Sequence, residues 1–164
     1  MEQLRLRPMT TAEFTTYRAQ LIPAYAAHHV QAGDWDPAQA ETLAARQVDE
    51  LLPAGPQTGG MLLLVAETRE GEQVGQAWIA LDRPRPGDAW IYDIGISPGQ
   101  RGKGYGRALL KAAEAQAGQR AAKAIGLHVF GANTVARELY ESSGYQVTSL
   151  IMRKPLGEGA AADR

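Results

Sequence analysis

The chain has 164 residues, 45% hydrophobic and 21% charged, the composition of a soluble globular protein long enough for one domain with a substantial core. Its 17 basic and 18 acidic side chains leave a net charge of −1, so no global field draws it to nucleic acid or to an anionic membrane. There is no cysteine, which excludes disulfides, thiolate metal sites and a cysteine nucleophile together.

The opening MEQLRLRPMT has no apolar run behind its charges, and the longest strongly apolar run, Met61 to Ala66, is too short to span a bilayer. A cytoplasmic protein is expected. Leu4 and Leu6 alternate with polar neighbours as a short strand ended by Pro8, after which Thr10 or Thr11 caps a helix. Phe14, Tyr17, Leu21, Tyr25 and His28 follow at helical spacing on one face, and Pro23 should kink or divide that helix. The polar tips of Tyr17, Tyr25 and His28 suit either the rim of the core or the lining of a pocket, with rim packing preferred. Trp35 reads as a core plug in the connection that follows.

Asp36 is the expected N-cap and Pro37 a first-turn residue of a second helix, with Ala40, Leu43, Ala44, Val48 and Leu51 as its buried stripe. Pro53 through Gly60 is a loop, and MLLLVA reads as a strand covered on both faces. Val74 to Leu81 and the segment from about Ala89 are further strands, separated by breaks short enough to imply antiparallel neighbours.

From Ile91 the rhythm changes. IYDIGIS is a strand, PGQRGKGYG a turn and RALLKAAEAQA a helix, ended near Gly118. Gly102, Gly104 and Gly106 let the backbone approach a ligand, the helix start offers unpaired N–H groups, and Arg101, Lys103 and Arg107 add positive charge. Charge of that sign opposes a helix N-terminus and favours an anion beside it. Ala124 to Val129 is a strand. Asn133 caps a helix bearing Val135, Ala136, Leu139 and Tyr140 on one side, Gly144 ends it, and Tyr145 to Lys154 has strand character. One domain is expected over 1–156, with a flexible tail at 157–164.

A dinucleotide fingerprint would need G-x-G-x-x-G and a later acidic residue, but the spacing here is G-x-G-x-G and the next strand ends in LHVFG. A nucleotide P-loop would need G-x-x-x-x-G-K-[ST], which is absent. His28, His29 and His128 form no metal-ligand pattern with nearby carboxylates, so no metal is expected.

The turn R-G-K-G-Y-G at Arg101 to Gly106 and the segment LHVFGANTVARELYESSGY at Leu127 to Tyr145 resemble, in this order, the two cofactor-side segments of the GNAT superfamily of acyl-coenzyme A-dependent N-acetyltransferases. The close resemblance covers roughly Trp90 to Met152; the first half agrees in element order only. It implies an α+β fold, a mixed, strongly twisted, largely antiparallel sheet flanked by about four helices. It also implies acetyl-coenzyme A as cosubstrate and direct transfer to a primary amine of a small molecule or peptide, with a homodimer allowed. A cofactor-binding sensor without turnover is the alternative.

By the same resemblance, Gly102, Lys103, Gly104, Tyr105 and Gly106 hold the pyrophosphate with Arg101. The pantetheine arm pairs with backbone near Ile94, Gly95 and Ile96, where Gly95 suits a bulge. Asn133 bonds pantetheine or adjacent backbone, though an N-cap explains it nearly as well. Tyr140 is the implied general acid for the leaving thiolate, and Asp93 the first candidate for general base, with Glu67 and His128 as alternatives.

Overall fold

The apolar run that reads as doubly covered is the strand Met61–Glu67, and the layers are built around it in a computed structural model that describes residues 3–154 and 156. In chain order the elements are β1 (Arg5–Pro8), α1 (Thr11–Gln31), α2 (Ala40–Leu51), β2 (Met61–Glu67), β3 (Gln73–Leu81), β4 (Asp88–Ile96), α3 (Tyr105–Gly118), β5 (Ala124–Leu127) and α4 (Thr134–Glu141). The strands lie side by side in that same order. β1 to β4 pair antiparallel, as their short connections require, while β5 joins β4 in parallel because α3 supplies the necessary crossover. The result is the expected α+β architecture with a mixed sheet and four helices.

Alternation along β2 feeds two cores. Leu64 and Ala66 pack with Val74, Ile79, Leu109 and Leu110 under α3, whereas Leu63 and Val65 pack with Tyr17, Ala44, Val48 and Trp78 under α1 and α2. Ile79, Leu109 and Leu110 are fully enclosed. Each such side chain contributes about 1.5–3 kcal/mol by leaving water.

Thr10 is the cap of α1. Its hydroxyl accepts from the Glu13 amide at 3.2 Å while the Glu13 carboxylate accepts from the Thr10 amide at 2.8 Å. Arg7 donates to Glu13 and to Glu67, each at 2.7 Å, tying β1, α1 and β2 together. Those bonds, the one from Arg7 foremost, hold the Glu13 carboxyl well below the usual carboxylate range.

Four sequence expectations are corrected. Pro23 does not divide α1, which runs unbroken from Thr11 to Gln31. Pro23 and Ala19 both lie on the exposed side, where water can satisfy the carbonyl that loses its partner. Asp36 does not cap α2; its carboxylate accepts from the Ala38 amide at 2.8 Å in a turn, and the helix starts at Ala40 without a side-chain cap. The strand after α3 stops at Leu127 instead of Val129. Tyr145 to Lys154 forms no strand among the described residues, and Val147, Leu150, Ile151 and Met152 point into solvent. The tail expected at 157–164 lies outside the described residues.

Candidate active site

β4 has partners along its whole inner side but only along half of its outer side. Its pairing with β3 continues to Ile96, opposite Gly75, whereas its pairing with β5 ends at Ile91, opposite Leu127. Beyond that point the chain after Leu127 turns away toward α4, so the outer edge of Tyr92 to Ile96 is left unpaired by β5. Backbone donors and acceptors on such an edge can take up another extended chain.

A bulge sits at the mouth of this opening. Trp78 faces Asp93 and the adjacent Ile79 faces Ile91, which leaves Tyr92 as an extra residue in β4. The bulge therefore falls at Tyr92 and not at Gly95, which pairs in register with Gln76. Ile91 packs toward α3 and Tyr92 toward α1 and α2. Strict alternation would return Asp93 to the α3 side. With one residue inserted, Asp93 instead reaches the α1 face, where its Oδ2 accepts from the Tyr17 hydroxyl at 3.0 Å.

The Asp93 carboxyl is surrounded by protein although the residue keeps some accessible surface. Burial pushes its pKa up; hydrogen bonds from Tyr17 and Gln76, the nearby charge of His28 and the Ile94 amide pull the other way without cancelling it. Tyr17 is buried, and loss of solvation together with the Asp93 charge keeps its hydroxyl protonated far above the normal range. Tyr140, on the inner side of α4, is also raised, by burial first and by Asp93 second. Its phenol therefore stays protonated at neutral pH, with a proton to donate. The groups that sense one another here come from α1, β3, β4 and α4.

Immediately after β4 comes the glycine turn. Gly102 and Gly104 have φ of +77° and +83°, conformations that side chains disfavour, and a Cβ on either would meet nothing within 4 Å. Gly104 caps α3 without any side-chain bond, and no acidic residue occupies the first turn. Open space over an uncapped helix start, with backbone amides turned outward, is suited to an anion. Arg101 donates to the Ile96 carbonyl at 3.2 Å and Lys103 to the Gln100 side chain at 2.7 Å, so both cations are held at the turn. Gly106 has a different use: a Cβ there would stand 3.4 Å from a Leu139 methyl, so its absence lets α4 lie close to α3. Arg107 fixes the far end of that contact, donating to the Ser142 and Ser143 hydroxyls at 2.8 and 3.0 Å.

Ile94, Gly95 and Ile96 thus lie on the unpaired edge, with Arg101 to Gly106 directly following and Asp93 and Tyr140 within electrostatic reach of each other. Asn133 serves as the N-cap of α4, its Oδ1 accepting from the Ala136 amide at 3.2 Å; the nitrogen of the same amide is not used by that cap. Glu67 is taken up by Arg7, two strands away from β4. His128 sits at the end of β5 with its ring 4.9 Å from that of Phe130. Gln76 and Phe130 were not singled out from sequence. The available signal for Gln76 was a long amide on an otherwise apolar strand face. Gly95 helps to seat it, since a Cβ at Gly95 would come within 3.0 Å of the Gln76 amide nitrogen.

Among the described residues no three His, Asp or Glu side chains gather as a metal-binding group, and no helix is long and apolar enough to cross a membrane.

Residues 24–145 match the model of the acetyltransferase (GNAT) family. The chain is 37% identical to the uncharacterized N-acetyltransferase YycN of Bacillus subtilis over 154 residues, which is 93% of this chain and 99% of that one. The YycN crystal structure superposes with a TM-score of 0.90, covering 95% of this chain and all of its own. Mycothiol acetyltransferase of Kytococcus sedentarius is 33% identical over 107 residues, 65% of this chain but 34% of that enzyme. The aminoglycoside N-acetyltransferase AAC(6')-Iy in complex with CoA shares the fold at a TM-score of 0.61 and 14% identity, with 95% and 96% of the two chains covered.

Proposed function

The chain belongs to the GNAT family of acetyltransferases, and on that footing we propose that it moves an acetyl group from acetyl-coenzyme A directly to a primary amine of a small molecule or peptide, without a covalent enzyme intermediate. The observation that carries this reading is the unpaired edge of β4 leading straight into the uncapped glycine turn of α3. An extended pantetheine arm fits the edge at Ile94 to Ile96, and a pyrophosphate fits the amides of Gly102 to Gly106 beside Arg101 and Lys103. The spare amide nitrogen of Asn133 is available to the arm.

Asp93 then takes the proton that the attacking amine must lose, and burial, by pushing its pKa up, makes it a stronger base than an ordinary carboxylate. Tyr140 gives a proton to the sulfur of the departing coenzyme A, a thiol whose ordinary pKa is about 8.5. Tyr17 and Gln76 hold the Asp93 carboxylate in place and are positioning residues. A second copy of the chain completes our reading, covering the apolar side chains exposed between Val147 and Met152.

The direct experiment follows thiol release from acetyl-coenzyme A over a panel of primary amines. The absence of cysteine leaves thiol reagents without a protein background. Amine-dependent release supports the transferase reading. Tight acetyl-coenzyme A binding by calorimetry with no release across the panel replaces it with the sensor reading.

A further inference from the structure

A continuous array of rings borders the opening beside Asp93. Trp35 stacks on His29 at 3.9 Å and 12°, and the Tyr25 ring meets both edge-on, at 4.7 Å from His29 and 5.5 Å from Trp35. His29 in turn touches Phe130 at 5.2 Å, and Phe130 is flanked by His28 at 5.5 Å and by His128 at 4.9 Å. The array therefore joins the C-terminal half of α1 to the segment that leaves β5 where the pairing of β5 with β4 has ended.

The rings fall into two groups. Tyr25, His29 and Trp35 are half-buried against one another, with Tyr25 anchored to Gln47 at 2.9 Å and His29 to Asp34 at 3.0 Å. His28 and His128 are exposed on either side of Phe130 and present imidazole faces and edges to whatever enters. The first group is scaffold, and the second is contact surface.

The charges around this surface argue against a polycation. Asp93 is the buried carboxylate at its base and already accepts from Tyr17, and Asp34 is occupied by His29. At the same loop Arg153 donates to the Gly33 carbonyl at 3.4 Å, which places a guanidinium, not a carboxylate, on the rim. A polyamine or aminoglycoside carries several ammonium groups, and each one that the site takes out of water needs an acidic partner. A flat apolar body needs rings, which are present.

Resting on the acetyltransferase reading above, we infer that the acceptor is a monoamine carried on an aromatic or similarly flat apolar body, seated on Phe130 between His28 and His128 with its amino group toward Asp93. Phe130 is a specificity residue for this acceptor class, and ring-to-ring contact supplies the preference.

The test compares phenethylamine and tyramine with butylamine, spermidine and kanamycin, measuring thiol release and, separately, calorimetric binding of phenethylamine to the coenzyme A-saturated protein. The expected result is a kcat/KM for the aromatic amines at least about tenfold above that for butylamine, and higher still relative to the polycations. Phe130→Leu, which keeps an apolar side chain and is checked for folding by circular dichroism, should reduce the aromatic-to-alkyl ratio about tenfold, mainly through KM. Preference for spermidine or kanamycin, or an unchanged ratio in a folded Phe130→Leu protein, overturns the inference while leaving the acetyltransferase reading intact. Phenethylamine binding that Phe130→Leu weakens, without turnover of any amine, supports the acceptor site and removes the transferase reading. Neither binding nor turnover of the aromatic amines overturns the inference.

Discussion

The Tyr17 hydroxyl donates to Asp93 Oδ2 at 3.0 Å, joining a helix in the first fifth of the chain to the strand that carries the proposed base. The bond stabilises the charged carboxylate, so it lowers a pKa that burial raises. Tyr17→Phe removes the donor and leaves the ring. Asp93 should then hold its proton to higher pH, and the acidic limb of the pH profile of kcat/KM should move upward. An unmoved limb would detach either Tyr17 from Asp93 or Asp93 from the rate.

Asp93→Asn should lower kcat by about 10²–10⁴-fold, the usual range for a lost general base. It should also stabilise the protein at pH 8. A raised native pKa means that the folded chain binds the proton more tightly than the unfolded one, so the parent loses stability as pH climbs through the native value. The asparagine variant escapes that loss. Thermal melts should place it above the parent at pH 8, with the difference closing toward pH 4.

Tyr140→Phe should depress kcat while leaving acetyl-coenzyme A affinity nearly unchanged, because the phenol is needed only as the thiolate leaves. Steady-state kinetics beside calorimetry separates the two effects. Normal turnover in this variant would take Tyr140 out of the reaction.

Gly104→Val should abolish acetyl-coenzyme A binding. At φ of +83° the substitution brings backbone strain on the order of 1–3 kcal/mol, yet its side chain enters empty space and meets no protein atom within 4 Å at Cβ. A folded variant that still binds the cofactor would sink the pyrophosphate assignment.

Light scattering should find a dimer, and paired Leu150→Ser and Ile151→Ser substitutions should shift it toward monomer without lowering the melting temperature of the monomer. Those side chains are 73% and 96% exposed within one copy, so they contribute little to its own core. A parent that is monomeric at high concentration would end the dimer proposal.

The glycine turn and the helix after Asn133 were legible because their features are local. Gly102 and Gly104 need left-handed backbone where they stand, Asn133 caps the helix it begins, and Tyr140 follows from that helix's face. Antiparallel order in β2 to β4 was likewise set by short connections. What could not be read was any property held by two distant segments. The Tyr17 face of α1 was visible as a stripe, but whether it met core or carboxylate depended on the register of β4 against β3. The position of the bulge leaves no mark on composition, and Gly95, the plausible site, proves to make room for Gln76. Pro23 misled because propensity rules describe an isolated helix, whereas burial of Tyr17, Ile22 and Ala26 holds α1 together across the missing bond.

The extra residue in β4 makes the proposed chemistry a matter of counting as much as of residue type. If β4 kept Tyr92 but alternated strictly through it, with no bulge, every later side chain of the strand would exchange layers, sending the aspartate under α3 among Leu109 and Leu110 and turning Ile94 toward Tyr17. No base would then face the acceptor, although every residue credited with a catalytic task would still be present. Among relatives of this chain, how this strand pairs with β3 around the bulge is therefore as informative as the identity of the carboxylate within it.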